Sequence, residues 1–123
     1  MPHIHVEYSD NIENLEVRPL LVALNQCLVD GEYATAIDIK SRAICQNNFV
    51  VGLNEENQGY IHVRISLLTG RSLEIRQQIS AKALAVLVNY VPEQAHVEIQ
   101  ACVEIVEMPK ETYSKQFIKV NSW

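Results

Sequence analysis

Positive charge is scarce in this sequence. Ten Lys and Arg stand against fifteen Asp and Glu, leaving a formal net charge of −5 over 123 residues. A nucleic-acid binder needs a basic surface for the phosphates, so this balance argues against that class of partner. Long apolar runs are missing as well. None approaches the roughly 20 residues that cross a bilayer, so no membrane partner is expected. Cysteine is sparse and odd in number. Cys27, Cys45 and Cys102 lie far apart, a spacing that suggests neither disulfides nor a zinc site, and they are expected to be small core residues. The first residues, Met1-Pro2-His3-Ile4-His5, lack the basic stretch and apolar segment of a secretory signal, so the expected location is the cytoplasm.

What is present fits an ordinary folded chain. Hydrophobic residues make up 48% and charged residues 20%. The length suits one domain over residues 1–123. An internal repeat organises it. Ile4 to Ser9 reads Ile-His-Val-Glu-Tyr-Ser, and Ile61 to Ser66 reads Ile-His-Val-Arg-Ile-Ser. Both alternate as strands do, with Ile4, Val6 and Tyr8 on one face and Ile61, Val63 and Ile65 on the matching one.

A helical pattern follows each copy. After the first, Asp10 with Glu13 predicts a helix start, and Leu20, Leu21, Leu24, Cys27 and Leu28 form its apolar face up to a Gly31 cap in the left-handed region. After the second, a helix follows Thr69-Gly70-Arg71-Ser72. Its apolar face holds Ile79, Ala83, Leu84, Leu87, Val88 and Val91, and Pro92 ends it. Further strands are predicted over roughly Ala36 to Cys45, continuing as an arm through Phe49 to Val51, and over Val97 to Val106. The halves run about 2–50 and 59–107, with a C-terminal segment 108–123. The expected class is α+β, an α/β two-layer fold. A tandem β-α-β repeat gives a four-stranded mixed sheet with both helices on one face.

The other sheet face then carries His5, Glu7, His62 and Arg64. Asp38 and Lys40 are expected to face away from the helices while Ile37 and Ile39 face them. Val97, Ile99 and Ala101 likewise face the helices, and Glu98, Gln100 and Cys102 face away. The open face is mixed in character, so it is either solvated or paired with copies of itself. The stretch Phe117 to Trp123 is too apolar for a free tail, and a neighbouring subunit is a reasonable cover. Glu7 and Arg64 are read as a cross-strand ion pair, and Arg76 as a structural residue inside its helix. His3, His5 and His62 could in principle gather a metal, but nothing completes a recognised ligand spacing and no metal is expected.

Several segments in this order carry a family likeness. They are Pro2-His3-Ile4 leading into Val6-Glu7, Ser9-Asp10-Asn11-Ile12, Ile39-Lys40-Ser41-Arg42-Ala43, and Gly70-Arg71-Ser72-Leu73-Glu74-Ile75-Arg76-Gln77-Gln78. Together they resemble 5-carboxymethyl-2-hydroxymuconate isomerase of the tautomerase superfamily. The resemblance covers most of the chain and is weak from Gln46 to Gly59 and beyond Met108. It implies a tautomerase-like β-α-β repeat in a homotrimer whose mixed sheet faces line the assembly. It also implies proton transfer on a dienol carboxylate, a step in homoprotocatechuate breakdown, without metal or organic cofactor.

Pro2 is then the expected catalytic base, once Met1 is cleaved. A free α-amine titrates near the working pH, and burial with a nearby cation lowers its pKa further. A proline amine is secondary and held by a rigid ring. The small-molecule substrate bears carboxylates, so cations must meet it. Arg71, just before the second helix, is the best clamp, because its planar fork matches a carboxylate. Lys40 stands where the family usually has arginine. It keeps the charge and loses the fork, and Arg42, two residues on, is the candidate to compensate. Two other readings stand beside this one. The chain could be a tautomerase of the same mechanism for a different oxo acid, or a non-catalytic trimeric binding or structural protein of the same fold.

Overall fold

Alternating β-branched residues build the sheet. The computed structural model describes residues 1–121. Its strands are β1 (His3–Ser9), β2 (Lys40–Gln46), β3 (Gln58–Leu68) and β4 (Glu98–Met108), and its helices are α1 (Val17–Asp30) and α2 (Leu73–Tyr90). The strand order is β2-β1-β3-β4. β1 runs parallel to β2 and β3 parallel to β4, and the two halves meet through an antiparallel β1–β3 pair. This is the mixed four-stranded sheet with two helices that the repeat predicts.

The register defines the repeat's symmetry. Val6 pairs with Val63, its own repeat equivalent, so the pseudo-twofold axis passes between them. Every other repeat position meets a different residue across the axis. His5 therefore faces Arg64, and Glu7 faces His62. This corrects the expected Glu7–Arg64 ion pair. Repeat equivalents away from the axis cannot lie opposite each other, and Glu7 instead accepts from Gln46 at 3.4 Å.

The core lies between the sheet and the helices. Ile4, Val6, Ile61, Val63, Ile65 and Leu67 meet Leu20, Leu24 and Leu28 of α1 and Ile79, Ala83 and Leu87 of α2, all 1% exposed or less. Each helix thus presents a narrow stripe spaced by four residues. Leu84 and Val88, expected in the core, are 38% and 59% exposed, because they lie beyond that stripe. The cysteines differ too. Cys45 and Cys102 are exposed, one near the end of the edge strand β2 and the other on the open sheet face, and Cys27 is half-buried.

Several boundaries also shift. Helix α1 starts at Val17, not at Asp10. Residues 10–16 form a tight turn in which Ile12 donates back to Ser9 and Asn14 takes a φ of 62°. Pro19 fits in the first turn, where its missing N–H has no partner to lose. At the far end Gly31 has a φ of −78°, and Glu32 takes the left-handed conformation at 61°. Gly31 is needed for another reason, because a Cβ there would fall on the Tyr33 ring. Residues 36–38 form a 3-10 turn, so Ile37 is exposed and only Ile39 reaches the core. The Phe49 to Val51 arm is not a strand, though Phe49 packs edge-on against Tyr60. The C-terminal segment makes a 3-10 turn at Lys110–Thr112, beyond which Ile118 and Val120 are almost fully exposed. Ser122 and Trp123, part of the expected apolar contact, lie outside the described residues.

At the end of β1 the chain leaves β3, and a side chain takes over the pairing. The fully buried Ser9 accepts from the Tyr60 N–H at 3.0 Å and donates to the Tyr60 carbonyl at 3.3 Å. Ser9→Ala leaves both groups without that partner. It is expected to cost about 1–3 kcal/mol, read as a lower urea midpoint at unchanged m-value.

Candidate active site

β1 is a central strand, and it begins one residue after Pro2. His3 pairs with Lys40 on one side and Ser66 on the other. Pro2 is thereby carried into the sheet. Its ring is fully buried, and its carbonyl accepts the Lys40 N–H at 3.1 Å. The antiparallel pairing brings the end of β3, and the turn after it, to this same end of the molecule.

That turn positions Arg71. Gly70 has a φ of 129°, a conformation closed to most side chains. Two residues on, the Ser72 hydroxyl caps α2 by accepting the Ile75 N–H at 3.2 Å. Between them Arg71 reaches across to the carbonyl of Tyr33 at 2.8 Å and that of Leu68 at 3.5 Å. Tyr33 is itself fixed. Its ring lies against Gly31, and its hydroxyl meets Gln78 and Lys82 of α2.

Lys40 joins the cluster from the start of β2, and its ammonium donates to the Asp38 carbonyl oxygen at 2.6 Å. The Asp38 carboxylate accepts from Lys115 at 2.9 Å, and Lys115 also lies 3.1 Å from the Met1 sulfur. These groups set the electrostatics of the amino terminus. The Met1 amine is pushed below its ordinary value of 8.0, first by burial and then by Arg71; Lys40 and Lys115 add to this and Asp38 opposes it. Burial, then the Lys115 charge, lowers Lys40, and the hydrogen bond from Lys115 lowers Asp38.

Of the expected site residues, the structure gathers Pro2, Arg71 and Lys40 at one end of the sheet. Arg42 is placed differently. It is exposed and donates to His3 Nδ1 at 2.9 Å. A guanidinium has only donors, so that nitrogen accepts and the ring proton sits on Nε2, which meets Tyr113 Oη at 3.0 Å. Burial, then Lys40 and Arg42, lowers the His3 pKa. Asp38, Tyr113 and Lys115 were not among the residues singled out from sequence. Asp38 falls within the predicted strand, and the other two lie in a segment without periodicity.

Two of the three histidines considered for a metal have other partners. His62 meets Glu104 at 2.9 Å, and His3 meets Arg42 and Tyr113. No group of three or more His, Cys, Asp or Glu that could hold a metal occurs among the described residues. Arg76 pairs with Glu107 of β4 at 3.4 Å, a structural contact between α2 and the sheet.

Known proteins share this fold. The family model described as 5-carboxymethyl-2-hydroxymuconate isomerase matches residues 2–120. A 5-carboxymethyl-2-hydroxymuconate isomerase from Deinococcus radiodurans R1 superposes with a TM-score of 0.85 at 25% identity, over 94% of this chain and 88% of that one. A 5-carboxymethyl-2-hydroxymuconate delta-isomerase gives 0.74 at 18% identity, over 95% and 88%. A fused 4-OT symmetric trimer gives 0.72 at 15% identity, over 89% and 87%, a likeness of fold. No curated protein matches the chain.

Two predictions follow from the electrostatics. In the chain that carries Met1, Arg71→Ala is expected to raise the amine pKa, measured by the pH dependence of amine acylation; an unchanged value would contradict the role of Arg71. His3 and His5 are both depressed from the ordinary imidazole value of 6.5, by burial first. Acid therefore protonates the unfolded chain before the folded one. Stability from this source is present above about pH 6.5 and is lost as pH falls through the lower folded values. Melting temperature should drop over that range, with a shallower slope in His3→Gln.

Proposed function

Because the chain belongs to the 5-carboxymethyl-2-hydroxymuconate isomerase family, we propose that this isomerase is a tautomerase using the Pro2 amine as its base after Met1 is removed. The proposed substrate is 5-carboxymethyl-2-hydroxymuconate or a close 2-hydroxy dienoic acid, met in the breakdown of aromatic compounds in the cytoplasm. The observation that carries this reading is the position of Pro2, buried at the head of a central strand where burial first, and then nearby cations, depress the adjacent amine.

In the proposed reaction the Pro2 nitrogen accepts the proton of the 2-hydroxyl group. The double bonds shift as the C2 oxygen becomes a carbonyl, and a proton is delivered to carbon. One O–H bond breaks and one C–H bond forms, so the formula is unchanged and no electrons leave or enter. The base must be neutral at working pH, which burial and nearby cations favour. Arg71 and Lys40 bind the carboxylates. Arg71 uses two of its five N–H groups on Tyr33 and Leu68, which fixes the guanidinium and leaves donors for a ligand. Arg42 is proposed to take part at the rim through His3, rather than as a direct replacement for the missing fork at Lys40.

A homotrimer is part of the proposal. The exposed apolar residues Ile118 and Val120 support it, as does the open polar sheet face that includes Arg64, His62 and Glu104. The trimeric state of a protein of similar fold points the same way.

Intact mass of the native protein should show Met1 missing; a retained methionine would sink the amine mechanism. Ketonization of 2-hydroxymuconate, followed by ultraviolet absorbance, should fall by about 10²–10³-fold in Pro2→Ala. In Arg71→Ala the fall should be roughly tenfold to a hundredfold, the worth of a hydrogen bond to a charged group. Wild-type rates in Pro2→Ala would refute the assignment of the base.

A further inference from the structure

We propose that Lys115, delivered by the C-terminal segment, is a further carboxylate-binding cation of this site and sets its preference for dicarboxylic over monocarboxylic acids. The inference rests on the reading of Pro2 as the base and adds a specificity-determining residue to that same site.

Lys115 is remote in sequence and close in space. The segment carrying it has no regular structure after Thr112, yet it folds back onto the start of the chain. Tyr113 holds it to His3, and Lys115 meets both Asp38 and Met1. The Lys115 and Asp38 side chains are 23% and 22% exposed, so the pair is partly shielded from water. The Lys115 ammonium also lies 4.5 Å from the centre of the Phe117 ring. An aromatic face and a carboxylate together hold the charge in place beside Met1.

Charge balance points to the ligand. Arg71, Lys40 and Lys115 bring three positive charges to the amino terminus, and Asp38 brings one negative charge. Three less one leaves two unneutralised. His3 adds none, because its Nδ1 accepts from Arg42 and the ring is neutral. The whole chain carries −5, so this excess is local. A dicarboxylate offers this excess a second anionic group that a monocarboxylate lacks. Removal of Met1 takes away one of the two polar contacts of Lys115 and leaves its ammonium with Asp38 alone.

The test compares two acids in three proteins with Met1 removed. Ketonization of 2-hydroxymuconate, a dicarboxylic dienol, and of phenylenolpyruvate, a monocarboxylic enol, is measured for wild type, Lys115→Gln and Lys115→Arg. Lys115→Gln is expected to lower the ratio of kcat/KM for the dicarboxylate over the monocarboxylate by about tenfold, mainly through KM. Lys115→Arg, which keeps the charge, should restore most of that ratio. An unmoved ratio in Lys115→Gln overturns the inference. So does an equal loss on both acids that arginine fails to rescue, since that marks a structural role. If wild type ketonizes neither acid, the proposed function falls and this inference with it; if wild type is active and the ratio does not move, this inference falls alone.

Discussion

The whole site depends on β1 being paired on both sides from its first residue. A chain terminus is normally frayed, because nothing fixes it. Here His3 is held between Lys40 and Ser66, so the residue before it has nowhere to go but the edge of the core. Pro2 suits that place. It has no N–H to leave unsatisfied, and its carbonyl still extends the ladder to Lys40. The pairing that makes the sheet therefore also gives position 2 its burial and its fixed orientation.

The fold has a pseudo-twofold axis, but the chemistry does not obey it. Pro2 precedes Ile4 by two residues, as Gly59 precedes Ile61. At the second position the chain is continuous, and a Cβ on Gly59 would come 2.8 Å from Ser9 Oγ and 2.9 Å from Asn11 Oδ1. That end is filled by neutral groups of the preceding turn. The strand partners differ in the same sense. His3 lies beside Lys40, whereas the equivalent Tyr60 lies beside Gln100. One end of the sheet thus collects cations around a chain terminus, and the other is closed with hydrogen bonds between neutral groups.

How much of this the sequence discloses follows from the range of the forces involved. The alternation of Ile4, Val6, Ile61 and Val63 is local and periodic, so the strands and the repeat are readable directly. The same holds for the four-residue spacing in each helix. Arg71 is readable because Gly70 and Ser72 flank it with turn and cap chemistry. The start of α1 misleads, since Asp10 and Glu13 imitate a capping pattern while the buried Ile12 pins the chain in a turn. Leu84 and Val88 mislead because periodicity gives the direction of an apolar face but not its width. The Glu7–Arg64 pairing fails on register, which is a property of two strands together. Lys115 was beyond reach, because its position is set by partners more than seventy residues away.

Met1 links these points. While it is attached, the Pro2 nitrogen is part of a peptide bond and has no basic lone pair. The same residue also occupies one contact of Lys115. Its removal would create a base and uncover a cation in a single step. The new amine would lie closer to the strand ladder than the Met1 amine does, in ground that already disfavours its protonated form. Burial alone would make such an amine a neutral but isolated base. Cations alone would bind acids without moving a proton. The paired start of β1 brings the buried Pro2 and the cations Arg71 and Lys40 to one end of the sheet, in a protein whose overall charge is negative.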